Sequence, residues 1–131
     1  MIVADTCTII WSTITPNLLS KQAKEAIELA GKIQGIYFCE ISLWEIAMLV
    51  KKKRLILNSS YQEFIQLIVE SQAFKFIGIT PRIAELANNL PKEINHDPAD
   101  KIIAATSHVL NLPLVTADKN LRKSNYIQTI W

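Results

Sequence analysis

Hydrophobic and polar positions along the chain follow two patterns, and each pattern predicts a different kind of element. Short apolar runs, typical of strands buried on both faces, predict strands at residues 1–4, 36–39, 76–79 and 114–116 and near 126–127. Apolar residues with helical spacing predict helices at residues 20–31, 42–54, 61–74, 80–89 and 97–110, with a short turn or helix from 118. This alternation predicts a three-layer α/β/α sandwich with a mainly parallel central sheet.

Capping signals mark the start of two of these helices. Asp97 can cap a helix whose first residue is Pro98, and Asp100 follows three positions after the cap. Thr80 followed by Pro81 is a second start of this kind. Both patterns satisfy backbone N–H groups that the first turn of a helix leaves without partners.

A third start is predicted after the second strand. Ser42 and Glu45 have the spacing of a capping box, so we expect the serine and glutamate side chains to cap the helix reciprocally. The helical spacing of Trp44 with the apolar residues that follow it predicts that this tryptophan packs in the core.

Composition narrows the class of protein. The chain has 131 residues, of which 50% are hydrophobic and 20% are charged, and we expect one globular domain over residues 1–131. A net charge of +2 means that nucleic-acid binding would need a local basic patch. We find no apolar run long enough to span a membrane and no secretion signal. Two cysteines do not make a disulfide framework, so we expect reduced thiols and a cytoplasmic location.

The acidic residues fall where a parallel sheet would bring them together. Asp5 ends the first strand, Asp118 follows the fourth, and Glu45 lies in the first turn after the second. These positions share the carboxyl edge of the sheet, where ligands bind in such folds. Asp97 and Asp100 reach this edge only if the preceding helix has already crossed back, which we infer from the two helices predicted between strands three and four.

Each of these acids on its own can be explained as a helix cap or a capping-box residue. Four or five carboxylates within a few ångströms would instead repel one another and raise each other's pKa values. A divalent cation would remove that penalty. Because the ligands would be oxygens without a histidine or cysteine cluster, Mg²⁺ or Mn²⁺ is favoured over zinc.

Four motifs follow one another in order and span nearly the whole chain: Asp5-Thr6, residues 42–46, residues 96–101 and residues 116–118. Together they resemble the motif set of PIN domains, and most nearly the ribonuclease toxins of bacterial VapBC toxin–antitoxin pairs. The resemblance implies a PIN-like fold in which four residues form the family's acidic quartet: Asp5, Glu45, Asp100 and Asp118. It also implies that Asp97 is an additional acid found in one branch of the family.

The resemblance extends to the residues beside these acids. Thr6 and Thr116 match hydroxyl positions of the family and are candidates to support the acids or to contact substrate. Lys101 stands where that branch often has arginine. This substitution keeps the charge but loses bidentate phosphate geometry, so it affects expected substrate contacts more than metal binding.

The resemblance and the chemistry imply one activity, which is Mg²⁺- or Mn²⁺-dependent endoribonuclease cleavage by an activated water. The family pattern implies products with a 5′-phosphate and a 3′-hydroxyl. The expected metal ligands are Asp5, Asp97, Asp100 and Asp118. The expected partners are an RNA substrate, a cognate antitoxin protein and a second copy of the chain in a homodimer.

Other side chains are weaker candidates for function. Two basic groups are candidates for RNA contact. The first group is Lys119, Arg122 and Lys123, and the second is Lys51, Lys52, Lys53 and Arg54. The second group ends a helix and is equally explained by the helix dipole. His96 is a weak candidate for acid–base catalysis, and Trp11 and Trp131 are candidates for base stacking or partner binding.

Three alternatives belong to other functional classes. A phosphatase with an aspartyl nucleophile needs a second aspartate two residues after Asp5, where Cys7 stands. A receiver-like signalling domain needs a phosphoacceptor aspartate at the end of the third strand, and residues 78–80 offer none. A PIN-like module that binds RNA or protein with lost or incidental catalysis stays open, although the intact acids disfavour it.

Overall fold

The computed structural model describes residues 1–94 and 97–131. The strands are β1 (Ile2–Ala4), β2 (Ile36–Cys39), β3 (Phe74–Ile77), β4 (Leu114–Val115) and β5 (Thr129–Ile130). The helices are α1 (Thr6–Ile14), α2 (Lys21–Gly31), α3 (Ile41–Lys51), α4 (Tyr61–Glu70), α5 (Pro81–Ala87), α6 (Pro98–Leu110) and α7 (Lys119–Lys123), with a short 3₁₀ helix at Pro16–Leu18.

The strands form one parallel sheet in the order β3-β2-β1-β4-β5, with β1 in the centre. Side chains alternate across β1, so Ile2 and Ala4 pack with residues of α1 to α4 while Val3 packs with residues of α6 and α7. Helices therefore cover both faces of the sheet. This arrangement confirms the predicted three-layer α/β/α sandwich.

Several element boundaries differ from the prediction. The sequence pattern does not predict helix α1, because its apolar residues follow the first strand without a separating turn signal. Strand β3 begins at Phe74, two residues early, since Phe74 pairs with Ile36 of β2 and α4 already ends at Glu70. The last strand lies at Thr129–Ile130 rather than near 126–127. Residues 126 and 127 instead pack in the loop before it, where the Tyr126 ring stacks on His108.

The predicted capping box at the start of α3 is wrong. The cap position is Glu40, which makes no side-chain capping bond, and the helix begins one residue before Ser42. The Ser42 and Glu45 side chains turn toward α1 because Thr6 offers them a buried hydroxyl. The expected core position of Trp44 is also wrong, since this side chain is 61% exposed.

The connection between β3 and α6 carries the chain to the expected edge of the sheet. Helix α5 starts directly after β3, with Thr80 capping its first turn and Pro81 at its first position, as predicted. It packs along α6 through a small cluster of Ile83, Ala87 and Ala105.

None of the helices in the described part of the chain has the length and apolar character needed to cross a bilayer.

Candidate active site

The carboxyl edge of the sheet holds a cavity of about 340 Å³ lined by acidic side chains. All five acids singled out from the sequence line it, and they are Asp5, Glu45, Asp97, Asp100 and Asp118. Thr6, Cys7, Trp11 and Ala117 complete the lining. The start of α6 therefore does reach the same edge as the ends of β1 and β4, as inferred from the sequence. We call this space the acidic cavity.

Three of the aspartates are placed by their own helices. Each is the cap residue of the helix that follows it and accepts a backbone hydrogen bond in the first turn. The bonds are Thr8 N–H to Asp5 Oδ1 (2.7 Å), Ala99 N–H to Asp97 Oδ1 (2.9 Å) and Leu121 N–H to Asp118 Oδ1 (2.9 Å). The capping explanation and the site explanation are therefore compatible, since capping is what aims these carboxylates at one place.

Glu45 is held by a hydroxyl pair between α1 and α3. The Thr6 Oγ1 hydroxyl donates to Glu45 Oε1 at 2.5 Å and lies 2.7 Å from Ser42 Oγ. Ser42 is fully buried and Thr6 nearly so, which fixes the position of the glutamate. Sequence reasoning assigned Ser42 to a cap and missed this contact, because the contact joins two elements far apart in the chain.

Thr116 supports two acids from behind the cavity. Its side chain is fully buried, and its hydroxyl accepts a hydrogen bond from the Asp118 backbone N–H at 3.0 Å. The same side chain hydrogen-bonds to Asp5, which favours the ionised carboxylate. The structure therefore assigns Thr116 a position beneath the acids, whereas Thr6 lines the cavity itself.

Burial, and then the proximity of other carboxylates, raises the pKa values of Asp5, Glu45 and Asp100. Burial raises the pKa of Asp100 from 3.8 to about 7, and the neighbouring Asp97, Glu45, Asp118 and Asp5 carboxylates add to the shift. Burial is also the main reason that the pKa values of Asp5 and Glu45 are raised, although hydrogen bonds from Thr116 and Thr6, respectively, oppose the shift. The folded chain therefore holds negative charge in a place where it is unfavourable.

Cys7 lines the cavity but does not add a thiolate to it. Loss of hydration and the surrounding carboxylates raise the pKa of Cys7 from 9.0 to about 12, so the thiol keeps its proton at neutral pH. The sulfur is therefore a poor metal ligand, and the ionisable ligands in the described lining are oxygens.

A hard divalent cation such as Mg²⁺ or Mn²⁺ fits the chemistry of these donors. Carboxylate oxygens are abundant, their charges repel one another, and a buried threonine hydroxyl steadies the Asp5 carboxylate. As the described side chains stand, no group of three acidic, histidine or cysteine residues is arranged to hold one ion. Binding of one ion by three of these groups would therefore require their side chains to move closer together.

The basic side chains singled out from the sequence lie outside the acidic cavity. Lys101 lines a separate cavity of about 170 Å³ between α5 and α6. The Lys51–Arg54 group begins with the last residue of α3 and is exposed, and none of its side chains lines the acidic cavity. His96 lies outside the described residues. The other basic group lies at a cavity of about 500 Å³, whose lining is Gln22, Lys119, Arg122, Lys123, Thr129 and Trp131.

Comparisons of the sequence with known proteins point to one protein family. The sequence pattern of the PIN domain matches residues 2–125. Ribonuclease VapC22 from Mycobacterium tuberculosis (strain ATCC 25618 / H37Rv) is 33% identical over 123 residues, which cover 92% of this chain and 91% of that protein.

Solved structures share the fold. A chain of VapBC2 from Rickettsia felis, in a crystal structure with a promoter DNA fragment, has a TM-score of 0.72 and 18% identity, covering 98% of this chain and 97% of that one. A chain of a toxin–antitoxin complex from Klebsiella pneumoniae has a TM-score of 0.65 and 23% identity, covering 96% and 94%. With the family pattern and the VapC relative, these likenesses lead to one conclusion: the chain belongs to the PIN domain family, among the relatives of the VapC ribonucleases.

Proposed function

We propose that this protein is a Mg²⁺- or Mn²⁺-dependent endoribonuclease and the toxin of a toxin–antitoxin pair. The observation that carries the proposal is the convergence of five acids, from four separate parts of the chain, on one small cavity. Three of them have raised pKa values, so the arrangement costs stability unless a cation binds there. The VapC ribonuclease relative supports RNA as the substrate.

In this proposal the aspartates hold the ion and Glu45 orients the attacking water. Asp5, Asp97, Asp100 and Asp118 are the ligands, directly or through water. A divalent ion in such a site supplies a Lewis acid that activates water and stabilises charge developing on the phosphate. We expect the catalytic group to consist of Asp5, Glu45, Asp100 and Asp118, and the products to carry a 5′-phosphate and a 3′-hydroxyl.

The buried hydroxyls act as positioning groups. Thr6 donates to Glu45 and so keeps one carboxylate oxygen of this residue turned toward α1. Thr116 joins the Asp118 backbone to the Asp5 side chain. Both threonines therefore influence the reaction through the acids that they hold. Lys101 stays a candidate for a more distant substrate contact, since it lies beyond the acidic cavity.

We propose further that residues 1–131 form one domain. We also propose that the protein forms a homodimer and binds a small antitoxin in the cytoplasm. Complexes of toxins with antitoxins are among the structural relatives, which supports such a partner. An apolar cavity of about 510 Å³ between α1 and α4 offers surface for a partner, with Ile56 82% exposed and Leu67 65% exposed beside it. An arginine or lysine on an antitoxin tail would be attracted to the five acids and would compete with the metal.

The second candidate function is a PIN-like module that binds RNA or protein without cutting. The specific observation that allows it is that the described carboxylates do not stand ready to hold one ion. Catalysis and binding then differ in one respect, which is whether RNA is cleaved when Mg²⁺ or Mn²⁺ is added.

A cleavage assay with end analysis separates these functions. Purified protein is incubated with RNA in Mg²⁺, in Mn²⁺ and in excess chelator, beside the Asp5→Asn variant and a matched Glu28→Gln control on the exposed side of α2. We expect metal-dependent cuts with 5′-phosphate ends, a loss of at least about 100-fold for Asp5→Asn, and wild-type activity for the control. RNA that stays intact with both metals, while still being bound, would favour the binding module.

A further inference from the structure

Two tryptophans connect the acidic cavity with a basic one. Trp11 lines the acidic cavity, and Trp131 lines the neighbouring cavity of about 500 Å³. Their ring centroids are 5.7 Å apart and the ring planes meet at 55°. Both side chains are half-buried, so each packs on the core with one part and faces a cavity with another. We call this pair the tryptophan bridge.

Helix α7 supplies the charge of the basic cavity. Lys119, Arg122 and Lys123 are spaced three and four residues apart, which places them on one face of the helix. All three are exposed, while Leu121 between them is buried and anchors the opposite face. The same helix is capped by Asp118, so the basic face begins within one turn of the acidic cavity.

This grouping of cations attracts an anion to the cavity. Like charges three or four residues apart destabilise a helix. The described lining of the cavity contains three cations and no acidic residue to offset them. The lining of this cavity also contains Gln22 and Thr129, whose side chains can donate hydrogen bonds to an anion. The chemistry of the cavity therefore suits phosphate groups beside an aromatic surface.

We propose that the tryptophan bridge and the α7 cations form a binding site for a single-stranded segment of RNA next to the cleaved bond. In this site, Trp131 stacks on an unpaired base, and Arg122 and Lys123 bind the adjoining phosphates. Trp11 links this position to the acidic cavity. The inference rests on the proposed nuclease function. It adds that the substrate strand reaches the acidic cavity from the side of α7 and Trp131.

The dimensions and the chemistry favour a single strand over a duplex. Asp118 and Lys123 are separated by about 8 Å along the helix axis, which corresponds to roughly two nucleotides of a stacked strand. A tryptophan face can stack on a base only when that base has left its own helical stack. A paired segment would offer the cations its phosphates but would leave the tryptophan bridge without a base.

The test measures RNA affinity in an Asp5→Asn background, in Mg²⁺, so that the strand is bound and not cut. The probe is a fluorescent single-stranded oligoribonucleotide, compared with a duplex of the same sequence. Trp131→Leu removes the aromatic face and keeps apolar bulk, whereas Trp131→Phe keeps a smaller aromatic face. Trp44→Leu is the matched control, because Trp44 is exposed on α3 and does not line either cavity.

A second pair of variants tests the phosphate contacts independently of the core packing of Trp131. Arg122→Gln removes one exposed charge from the basic cavity. Lys32→Gln also removes one exposed charge. Lys32 precedes β2, so it lies at the amino edge of the sheet, opposite the edge that holds the acidic cavity. Both variants lose the same formal charge, so any difference between them reports position and not net charge.

We expect Trp131→Leu to weaken single-strand binding roughly 10-fold, with a smaller effect for Trp131→Phe and little effect of either on the duplex. We expect Arg122→Gln to lower the slope of log affinity against log salt by about 0.7, and Lys32→Gln to leave it unchanged. Melting temperatures show whether each variant is folded. Arg122→Gln still decides the matter if Trp131→Leu loses stability.

Two results would overturn the inference while leaving the nuclease intact. In the first result, the wild-type protein cleaves RNA, but adding Trp131→Leu or Arg122→Gln to Asp5→Asn leaves the affinity for the single strand unchanged. The other is variants that keep RNA affinity and lose only the affinity for a protein partner, which would make this surface a protein interface. If wild type neither cleaves nor binds RNA, the nuclease proposal fails and this inference fails with it.

Discussion

Asp100 shows how crowded acids make a folded protein sensitive to pH. Its pKa is raised from 3.8 to about 7 by burial and by four neighbouring carboxylates. In the folded chain this group therefore binds a proton more tightly than it does in the unfolded chain. Its contribution to the stability of the metal-free protein is most favourable at low pH and falls as the pH rises through about 4 to about 7.

We expect Asp100→Asn to stabilise the metal-free protein above neutral pH. The gain is on the order of 1 kcal/mol after allowance for the partial exposure of this carboxyl group, and it should shrink as the pH is lowered to about 5. Urea unfolding of both proteins at several pH values, in excess chelator, measures the difference directly. A difference that stays constant with pH would show that the Asp100 pKa is not raised.

Thr6 allows a test of positioning at the level of one hydroxyl. Thr6→Val keeps the shape of the side chain but removes the donor to Glu45. We expect kcat to fall roughly 10- to 100-fold with a smaller change in KM, because the carboxylate loses its orientation. Thr6→Ser should restore most of the activity, since it returns the hydroxyl. Equal losses in both variants would indicate a packing defect instead.

Helix caps place three of the five acids at the cavity. Capping could be predicted at Asp97 and Thr80 from short local patterns, and the structure shows both caps. Helix α3 itself was predicted, but its cap could not be predicted in the same way. Its Ser42 and Glu45 side chains bond instead to Thr6, which lies 36 and 39 positions earlier in the chain. Local spacing therefore predicts a cap reliably only where no distant partner competes for the same side chain.

Asp97 separates the capping role of an acid from its role in the site. Asparagine caps a helix about as well as aspartate, whereas alanine does not. We expect Asp97→Asn to keep the wild-type melting temperature in chelator and to lose part of the metal response. Asp97→Ala should lose the metal response and also about 1 kcal/mol of stability.

Thermal unfolding in chelator and in metal, followed by circular dichroism, measures both effects for the two Asp97 variants. An Asp97→Asn protein with a full metal response would remove Asp97 from the proposed ligands.

The whole molecule is organised by a sheet whose five strands all point the same way. A mainly parallel sheet between two layers of helices could be predicted from the alternation of apolar runs and helical patterns, although the strand order could not. The parallel arrangement brings acids from distant parts of the chain to one cavity. The basic cavity could not be predicted, because it joins α2, α7 and β5, and the position of β5 follows from its pairing with β4. The tryptophan bridge depends on the same pairing, since Trp131 directly follows β5.

The central claim is that the acids of the cavity act together on one kind of divalent cation. It is tested most directly by titrating Mn²⁺ into the protein and measuring free Mn²⁺ by electron paramagnetic resonance. We expect the wild type to bind Mn²⁺ in competition with Mg²⁺, and Asp100→Asn and Asp118→Asn to bind it at least about 10-fold more weakly. Glu28→Gln, which removes an acid outside the cavity, should bind like wild type. No binding at millimolar Mn²⁺, or equal binding by all four proteins, would contradict the account.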